Sequence, residues 1–242
     1  MAVALTAVLA IAWAVWPAQS ARIWRVGYFR FTPFMMVNAD GSPRGLAIDL
    51  FEAAAKRKGI LFRWVLLPDG PDRAFDDHLI DIYPMAADLA PRKERYHVSL
   101  PWWEANMGLV SRQSSGIRTK ADVLGRTLGY IDWKFGKWIV LPHFEGASLV
   151  PMKLHEDIVR AVCTGATETG VLEFRTYYDF LMSGPPECTG VPLQITLVPE
   201  ANLTYSVIGT RAAAPIVDAI QSEIARMALD GSMSRMAMHW QI

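Results

Sequence analysis

A short basic stretch followed by two tryptophans is the first feature of this sequence that could do chemistry. Arg92, Lys93, Arg95 and His97 lie close together, just before a Pro-Trp-Trp segment. An arginine guanidinium presents two parallel donors to a carboxylate and stays charged when it is removed from water. The stretch is therefore a candidate anion site, and an ordinary solvated arginine on the surface is the alternative.

No other motif of the sequence is typical of catalysis or of a cofactor site. The sequence has no GxSxG, HExxH or GxxxxGKS/T pattern, and His97, His143 and His155 lack the spacing of metal ligands or catalytic partners. The 24 Lys and Arg residues balance 24 Asp and Glu residues, so no overall field favours a nucleic acid. We expect no catalytic residue, no cofactor, no metal and no nucleic-acid partner.

The N-terminus resembles an export signal. Residues 1–21 carry no charged side chain and end in the small residues Ala18-Gln19-Ser20-Ala21, which fit cleavage before Ala21. The apolar part is short for a spanning helix of ~20 residues. We predict a signal peptide and a periplasmic or extracellular protein. An uncleaved membrane anchor and a buried N-terminal helix are the alternatives.

The chain has two cysteines, Cys163 and Cys188. Neither belongs to a CxxC motif, and no histidine stands at metal-ligand spacing from either. In an oxidising compartment they would pair and stabilise the protein by roughly 3 kcal/mol. Because the leader predicts export, we favour a disulfide over two free buried thiols.

Beyond Arg22 the sequence alternates between strand-like and helix-like segments. "IWRVGYF", "ILFRWVLL" and "IDIYPM" are apolar strands, and "LAIDLFEAAAKRKG" is an amphipathic helix that Gly59 ends. "RTLGYI", "HEDIVRAVCTG" and "ETGVLEF" repeat the order of strand, helix and strand. This alternation is typical of an α/β fold with mainly parallel sheets.

The elements fall into two units. One long strand predicted over residues 103–111 leads from the first unit to the second, and an extended segment near residues 198–207 returns the chain. Two lobes joined by two crossings would leave a cleft between them and a hinge at the crossings.

Four stretches in this order resemble the family 3 extracellular solute-binding proteins, the periplasmic receptors of polar amino-acid ABC importers. They are "VGYFRFTPF" with "DGSPRGLAIDLFEAAAKRKG", then "DLAPRKERYHVSLPWW", "VLGRTLGY" and "IARMALDGSMSRMAMHW". The resemblance covers nearly all of the chain after Arg22. It implies a type 2 periplasmic-binding fold, with lobe 1 at residues 22–106 plus 202–242 and lobe 2 at residues 107–201.

The resemblance also implies roles for three residues. Arg92 stands where the family has an arginine that grips the ligand's α-carboxylate, and Glu173 stands where an acidic residue holds the α-ammonium. Phe31 stands where an aromatic ring lies against the ligand side chain. The alternatives are an ion pair of Glu173 with Arg175 or Arg211, and core packing of Phe31. On the carboxylate-clamp interpretation, Arg92→Ala should lose ligand affinity yet melt normally without ligand.

Two departures from the family pattern concern the ligand. The stretch before Arg92 usually offers Ser or Thr but is Ala86-Ala87-Asp88-Leu89 here, and Asp88 would either neutralise the arginine or recruit a cationic ligand. Trp133 stands where small hydroxyl residues are usual, so it would stack on a ligand or pack in the core. These changes weaken the case for a standard α-amino acid and open the site to another amine, a dipeptide-like compound or an aromatic solute.

The resemblance implies a binding protein rather than an enzyme. It would be a monomer that captures a small polar solute, an amino acid or a related amine or acid, by hinge closure for a membrane permease. Two alternatives stay open. Similar domains form the sensory input of signalling receptors, and a few relatives of the fold are dehydratases, for which Glu173 would be a general acid.

Overall fold

The computed structural model describes residues 22–133 and 136–242. The predicted signal peptide, residues 1–21, lies outside these ranges. Within them, two five-stranded sheets and a short hairpin form the fold, with helices packed against the sheets. The predicted α/β class, with two mainly parallel sheets flanked by helices, is confirmed. None of the helices within these ranges has the length and apolar character needed to cross a bilayer.

The first sheet combines four strands of one direction with one antiparallel strand. Its strands are β1 (Trp24–Tyr28), β4 (Phe62–Leu66), β5 (Ile82–Ala87), β6 (His97–Ala105) and β12 (Leu203–Gly209), and the hairpin is β2 (Met36–Val37) with β3 (Pro43–Arg44). The sheet order is β4-β1-β5-β12-β6. β1 runs parallel to β4 and β5, whereas β12 is antiparallel to β5 and β6.

Five helices of the described chain accompany this sheet. They are α1 (Leu46–Lys58), α2 (Pro71–Asp76), α3 (Ala90–Arg95), α7 (Ala214–Leu229) and α8 (Ser232–His239). α1 buries one apolar face, carries three basic residues in its last turn, where the helix dipole favours them, and ends at Gly59 with a left-handed φ of 64°. The limits predicted for this helix are confirmed.

The second sheet has the same mixture of strand directions. Its strands are β7 (Met107–Arg112), β8 (Thr127–Ile131), β9 (Ser148–Met152), β10 (Thr169–Glu173) and β11 (Leu193–Leu197), in the order β11-β7-β10-β8-β9. The accompanying helices are α4 (Gly136–Val140), α5 (His155–Thr164) and α6 (Phe174–Ser183). α5 lies so close to β10 that a Cβ on Gly170 would come within 2.1 Å of Ile158 Cγ2.

The chain passes between the sheets at two asparagines that contact each other. The single long strand predicted over residues 103–111 is two strands, β6 and β7, which belong to different sheets and are separated by Asn106. The amide of Asn202, at the second crossing, accepts the Met107 N–H (3.0 Å) and donates to Asn106 Oδ1 (3.3 Å). Asn106 therefore belongs to neither strand, and its side chain bonds with Asn202 on the segment that leads back to the first sheet. The predicted lobe boundaries, at these crossings, remain a prediction.

Cys163 and Cys188 form the predicted disulfide. Cys163 is buried in the last turn of α5, and Cys188 belongs to a single 3-10 turn that follows α6, with 5.0 Å between the two Cα atoms. The bond thus ties the end of α5 to the segment that leaves α6.

Candidate ligand-binding site

A cavity lies between the two sheets. Its walls come from the C-terminal ends of β5, β8 and β10, from β12 and from the loop after β1. Its volume is about 70 Å³, several times the ~10–15 Å³ that a cavity needs to hold one water molecule. Open α/β sheets bind their ligands at the carboxyl ends of the strands. The cavity is therefore the candidate ligand site.

Four of the predicted ligand residues line this cavity, and one does not. The four are Phe31, Arg92, Trp133 and Glu173. Asp88 is absent from the lining, and its Oδ1 atom lies 2.8 Å from Lys93 Nζ. The structure thus brings the predicted basic residue, Arg92, and the predicted acidic residue, Glu173, to one cavity. Asp88, which precedes α3, instead forms an ion pair with Lys93 of that helix.

Arg92 is buried and binds a carboxylate of the protein itself. It lies in α3 with 4% of its surface exposed. Its Nε and Nη2 atoms donate to Asp72 Oδ1 and Oδ2 at 3.0 and 2.6 Å, and Nη1 donates to the Ala87 carbonyl at 2.9 Å. This two-pronged geometry is the strong form of an arginine–carboxylate contact. The expectation that Arg92→Ala melts normally no longer holds, because the substitution would leave Asp72 buried without its partner.

Asp72 is the charged residue beside the cavity that sequence reasoning missed. It stands in the first turn of α2, right after Gly70-Pro71, where an acidic side chain is favourable next to the helix dipole. That position predicts an exposed capping charge. The structure instead buries the side chain completely, because α2 packs with Asp72 turned toward Arg92. No signal in the sequence links these two residues, which are 20 positions apart.

Glu173 is the last residue of β10 and the N-cap of α6. Its Oε2 atom accepts the N–H groups of Arg175 (2.7 Å) and Thr176 (3.0 Å), so the side chain caps the helix. The residue is 2% exposed, and Oε1 has no hydrogen-bond partner in the described part of the chain. Arg175 Nη1 lies 3.9 Å from Oε1, whereas Arg211 bonds the carbonyls of α3. Of Arg175 and Arg211, the two arginines considered as ion-pair partners of Glu173, Arg175 is thus the one that lies near its carboxylate.

Phe31 is held in place by a tight loop after β1. Its backbone exchanges two hydrogen bonds with Met35, at 2.7 and 2.8 Å. Gly45 passes against the same loop with a φ of 129°, and a Cβ there would lie 2.3 Å from the Phe34 carbonyl oxygen, so only glycine fits. The Phe31 ring stacks on His155 of α5 at 4.8 Å between centroids. Phe31 therefore contacts both the cavity and the opposite side of the cleft.

Trp133 follows β8 and reaches the first sheet from the second. Its ring packs edge-on against Phe29, with 4.8 Å between centroids. Gly70 approaches the same ring so closely that a Cβ there would lie 2.9 Å from Trp133 Cδ2. The indole thus packs against Phe29 and also lines the cavity, and its stacking on a ligand remains a prediction.

Four polar atoms on residues that line the cavity lack a hydrogen-bond partner in the described ranges. They are Tyr83 Oη, Trp133 Nε1, His155 Nδ1 and Glu173 Oε1. Burial lowers the pKa of His155 to about 4, so its ring is neutral near pH 7 and Nδ1 is an acceptor when the other nitrogen donates to the Arg30 carbonyl. Buried polar atoms normally find partners. Two donors and two acceptors therefore surround a space that a ligand could fill.

The Glu173 carboxyl gives a pH-dependent contribution to stability. Burial raises its pKa above the usual glutamate value, outweighing its helix N–H bonds and Arg175. Between the ordinary and the raised pKa, the folded protein keeps a proton that the unfolded chain has released. The stability that the Glu173 carboxyl contributes is therefore fully present below the ordinary glutamate pKa, and it is lost as pH rises through the raised pKa.

We expect Glu173→Gln to remove the loss of stability that the Glu173 carboxyl causes in the ligand-free protein as pH rises. Each unit of pKa difference is worth about 1.4 kcal/mol, so the variant should lose less stability than the wild type between acid and neutral pH. Urea unfolding of both proteins across that range measures the difference. Parallel curves would show that Glu173 does not titrate with a raised pKa.

Solved structures similar to this chain are binding proteins of the same architecture. An ancestral arginine-binding protein bound to arginine is 20% identical, with 91% of this chain and 99% of that chain covered and a TM-score of 0.79. A variant of the arginine-binding protein from T. maritima is 22% identical, with 90% and 94% covered and a TM-score of 0.76. The GluR0 ligand-binding core from Nostoc punctiforme, in complex with L-glutamate, is 18% identical, with 90% and 98% covered and a TM-score of 0.76.

At these identities the solved structures establish the fold, which is the type 2 periplasmic-binding fold predicted from the sequence. No curated protein matches the chain. The model of the bacterial extracellular solute-binding proteins, family 3, matches residues 25–241. The match covers both sheets and every residue placed at the cavity above. The chain therefore belongs to the bacterial extracellular solute-binding proteins, family 3, a family of binding proteins.

Proposed function

We propose that this protein captures a small polar solute, an amino acid or a related amine or acid, in the cavity between its lobes and delivers it to the permease of an ABC importer. The observation that carries the proposal is the cavity between the sheets, whose lining residues present four polar atoms that have no hydrogen-bond partner among the described residues. Family membership supports a protein that works in the periplasm or outside the cell. We propose that it acts there as a monomer. The complexes with arginine and L-glutamate among similar structures support an amino-acid-like solute.

Capture would proceed by hinge closure about Asn106 and Asn202, which lie at the two crossings and bond to each other. The first sheet and its loops supply Phe31 and Tyr83 to the cavity, and the second sheet and its helices supply His155 and Glu173. A solute that contacts both groups favours the closed arrangement, because those contacts exist together only there.

A thermal-shift screen of amino acids, amines and small peptides tests this proposal. A solute at about 100 times its Kd adds about 2.7 kcal/mol of stability. We expect at least one class to raise Tm, and small-angle X-ray scattering should then show a more compact protein.

Two matched variants locate the site. Leu203 lines the cavity, whereas Leu229 is 89% exposed at the end of α7. Leu203→Trp should abolish the solute-induced rise in Tm, and Leu229→Trp should keep it. Absence of any stabilising solute for the wild type, or an equal response of both variants, would contradict binding in this cavity.

A further inference from the structure

The positive group at the cavity is already engaged by the protein. Three guanidinium nitrogens of Arg92 donate to Asp72 and to the Ala87 carbonyl. The Asp72 side chain has no exposed surface. A ligand carboxylate that took over Arg92 would leave Asp72 buried beside it without a partner, and an unpaired buried charge is strongly unfavourable. Arg92 is therefore poorly suited to hold a ligand anion.

The negative group at the cavity has an open bonding position. Glu173 Oε1 accepts no hydrogen bond within the described ranges although the residue is almost fully buried. Its neighbour Arg175 stays 3.9 Å away, and its guanidinium lies over the Trp103 ring at 5.1 Å. An N–H donor of a ligand would supply the bond that Oε1 lacks.

The remaining lining suits a cation that also carries a neutral acceptor. Five residues with aromatic rings of Phe, Tyr or Trp line it, and the face of such a ring attracts an ammonium group; they are Phe31, Tyr83, Tyr130, Trp133 and Tyr205. Burial raises the pKa of Tyr83, so its hydroxyl remains a donor. Among the residues that the structure describes, Tyr83 Oη and Trp133 Nε1 both lack an acceptor, which a hydroxyl or carboxamide oxygen would provide.

We propose that the cavity selects a compact primary amine, a monocation with a neutral oxygen acceptor and no carboxylate, over the corresponding amino-acid zwitterion. The ammonium group bonds Glu173 Oε1 among the aromatic rings, and the oxygen accepts from Tyr83 and Trp133. A cavity of about 70 Å³ has room for roughly five water-sized groups, which fits a molecule of that size. This inference rests on the proposed function, since it names the solute class of the same site.

Matched pairs of an amino acid and its carboxamide test the inference. Glycine with glycinamide, and L-alanine with L-alaninamide, differ only in the carboxylate. Calorimetric titration near pH 7 keeps most of both α-amines protonated and avoids the acid range in which Glu173, with its raised pKa, gains a proton. We expect each amide to bind at least about tenfold more tightly than its acid. Equal binding or tighter binding of the acids would overturn the inference, as would binding by neither pair.

Two variants separate the groups that set the preference. Glu173→Gln keeps the shape of the helix cap and should reduce the amide preference to less than about threefold. Asp72→Asn keeps the shape beside Arg92 but removes its countercharge, so it should move the preference toward the acids by at least about tenfold. An unchanged preference in Glu173→Gln would refute the ammonium contact, even if Asp72→Asn fails to fold.

The failure of this inference can be told apart from failure of the proposed function. If other solutes raise Tm and Leu203→Trp abolishes the effect, the cavity binds a solute but the class named here is wrong. If no solute raises Tm, the proposed function fails as well.

Discussion

Replacing Asp72 by alanine is expected to destabilise the ligand-free protein by about 3–5 kcal/mol, the range typical when one partner of a buried ion pair is removed. The reason is the guanidinium of Arg92, a residue that is 4% exposed and that would lose the carboxylate bound to its Nε and Nη2 atoms. Urea unfolding monitored by tryptophan fluorescence measures the loss.

Asp76→Ala is the matched control for this prediction. Asp76 lies in the same helix α2 and forms an ion pair with Arg95 of α3, but that pair is partly exposed, with side-chain exposures of 33% and 40%. Solvent-exposed pairs typically contribute about 0–1 kcal/mol. A loss in Asp72→Ala no larger than that in Asp76→Ala would show that the Arg92–Asp72 pair is not buried as described.

A double variant separates the lost charge pair from lost packing. Asp72→Leu with Arg92→Met replaces the pair by apolar side chains of similar size, and such exchanges of buried pairs are often neutral or stabilising. We therefore expect the double variant to be more stable than either single variant. Additive losses would contradict a coupled pair, because coupled neighbours deviate from additivity.

Loss of the disulfide is the second large effect. Changing both Cys163 and Cys188 to alanine should lower the free energy of unfolding by about 3 kcal/mol, since the unfolded chain regains the freedom of the loop that the bond closes. Chemical unfolding with and without a reductant measures this loss. The reductant should destabilise the wild type by a similar amount and leave the variant unchanged.

Thiol titration provides the independent check on this bond. Protein purified from an oxidising compartment should show no free thiol before reduction and two afterwards, because the chain contains only these two cysteines. Two titratable thiols in the native protein would contradict the pairing.

Much of the fold could be predicted because its signals are local. Apolar alternation marks the strands, the apolar face of α1 marks a helix against a sheet, and Gly59 and Gly165 end helices with left-handed backbones. The break between β6 and β7 at Asn106 has no local signal. It depends on a side chain, Asn202, that only the folded chain brings near.

The site was predictable only in part for the same reason. Motif position placed Arg92 and Glu173 at the cavity, but the partner of Arg92 could not be predicted. Asp88 is near in sequence and bonds Lys93, whereas Asp72 comes from another helix and is buried by tertiary packing. His155 lacks a partner spacing in the sequence and joins the cavity because it stacks on Phe31.

The central claim is that a solute is held between the two sheets by Glu173 while Arg92 stays with Asp72. A crystal structure of the protein with L-alaninamide, or with the tightest solute from the screen, tests it most directly. The account predicts a ligand nitrogen within hydrogen-bond distance of Glu173 Oε1 and an intact Arg92–Asp72 pair. A ligand carboxylate on Arg92 with Asp72 displaced, or a ligand bound outside the cavity, would contradict it.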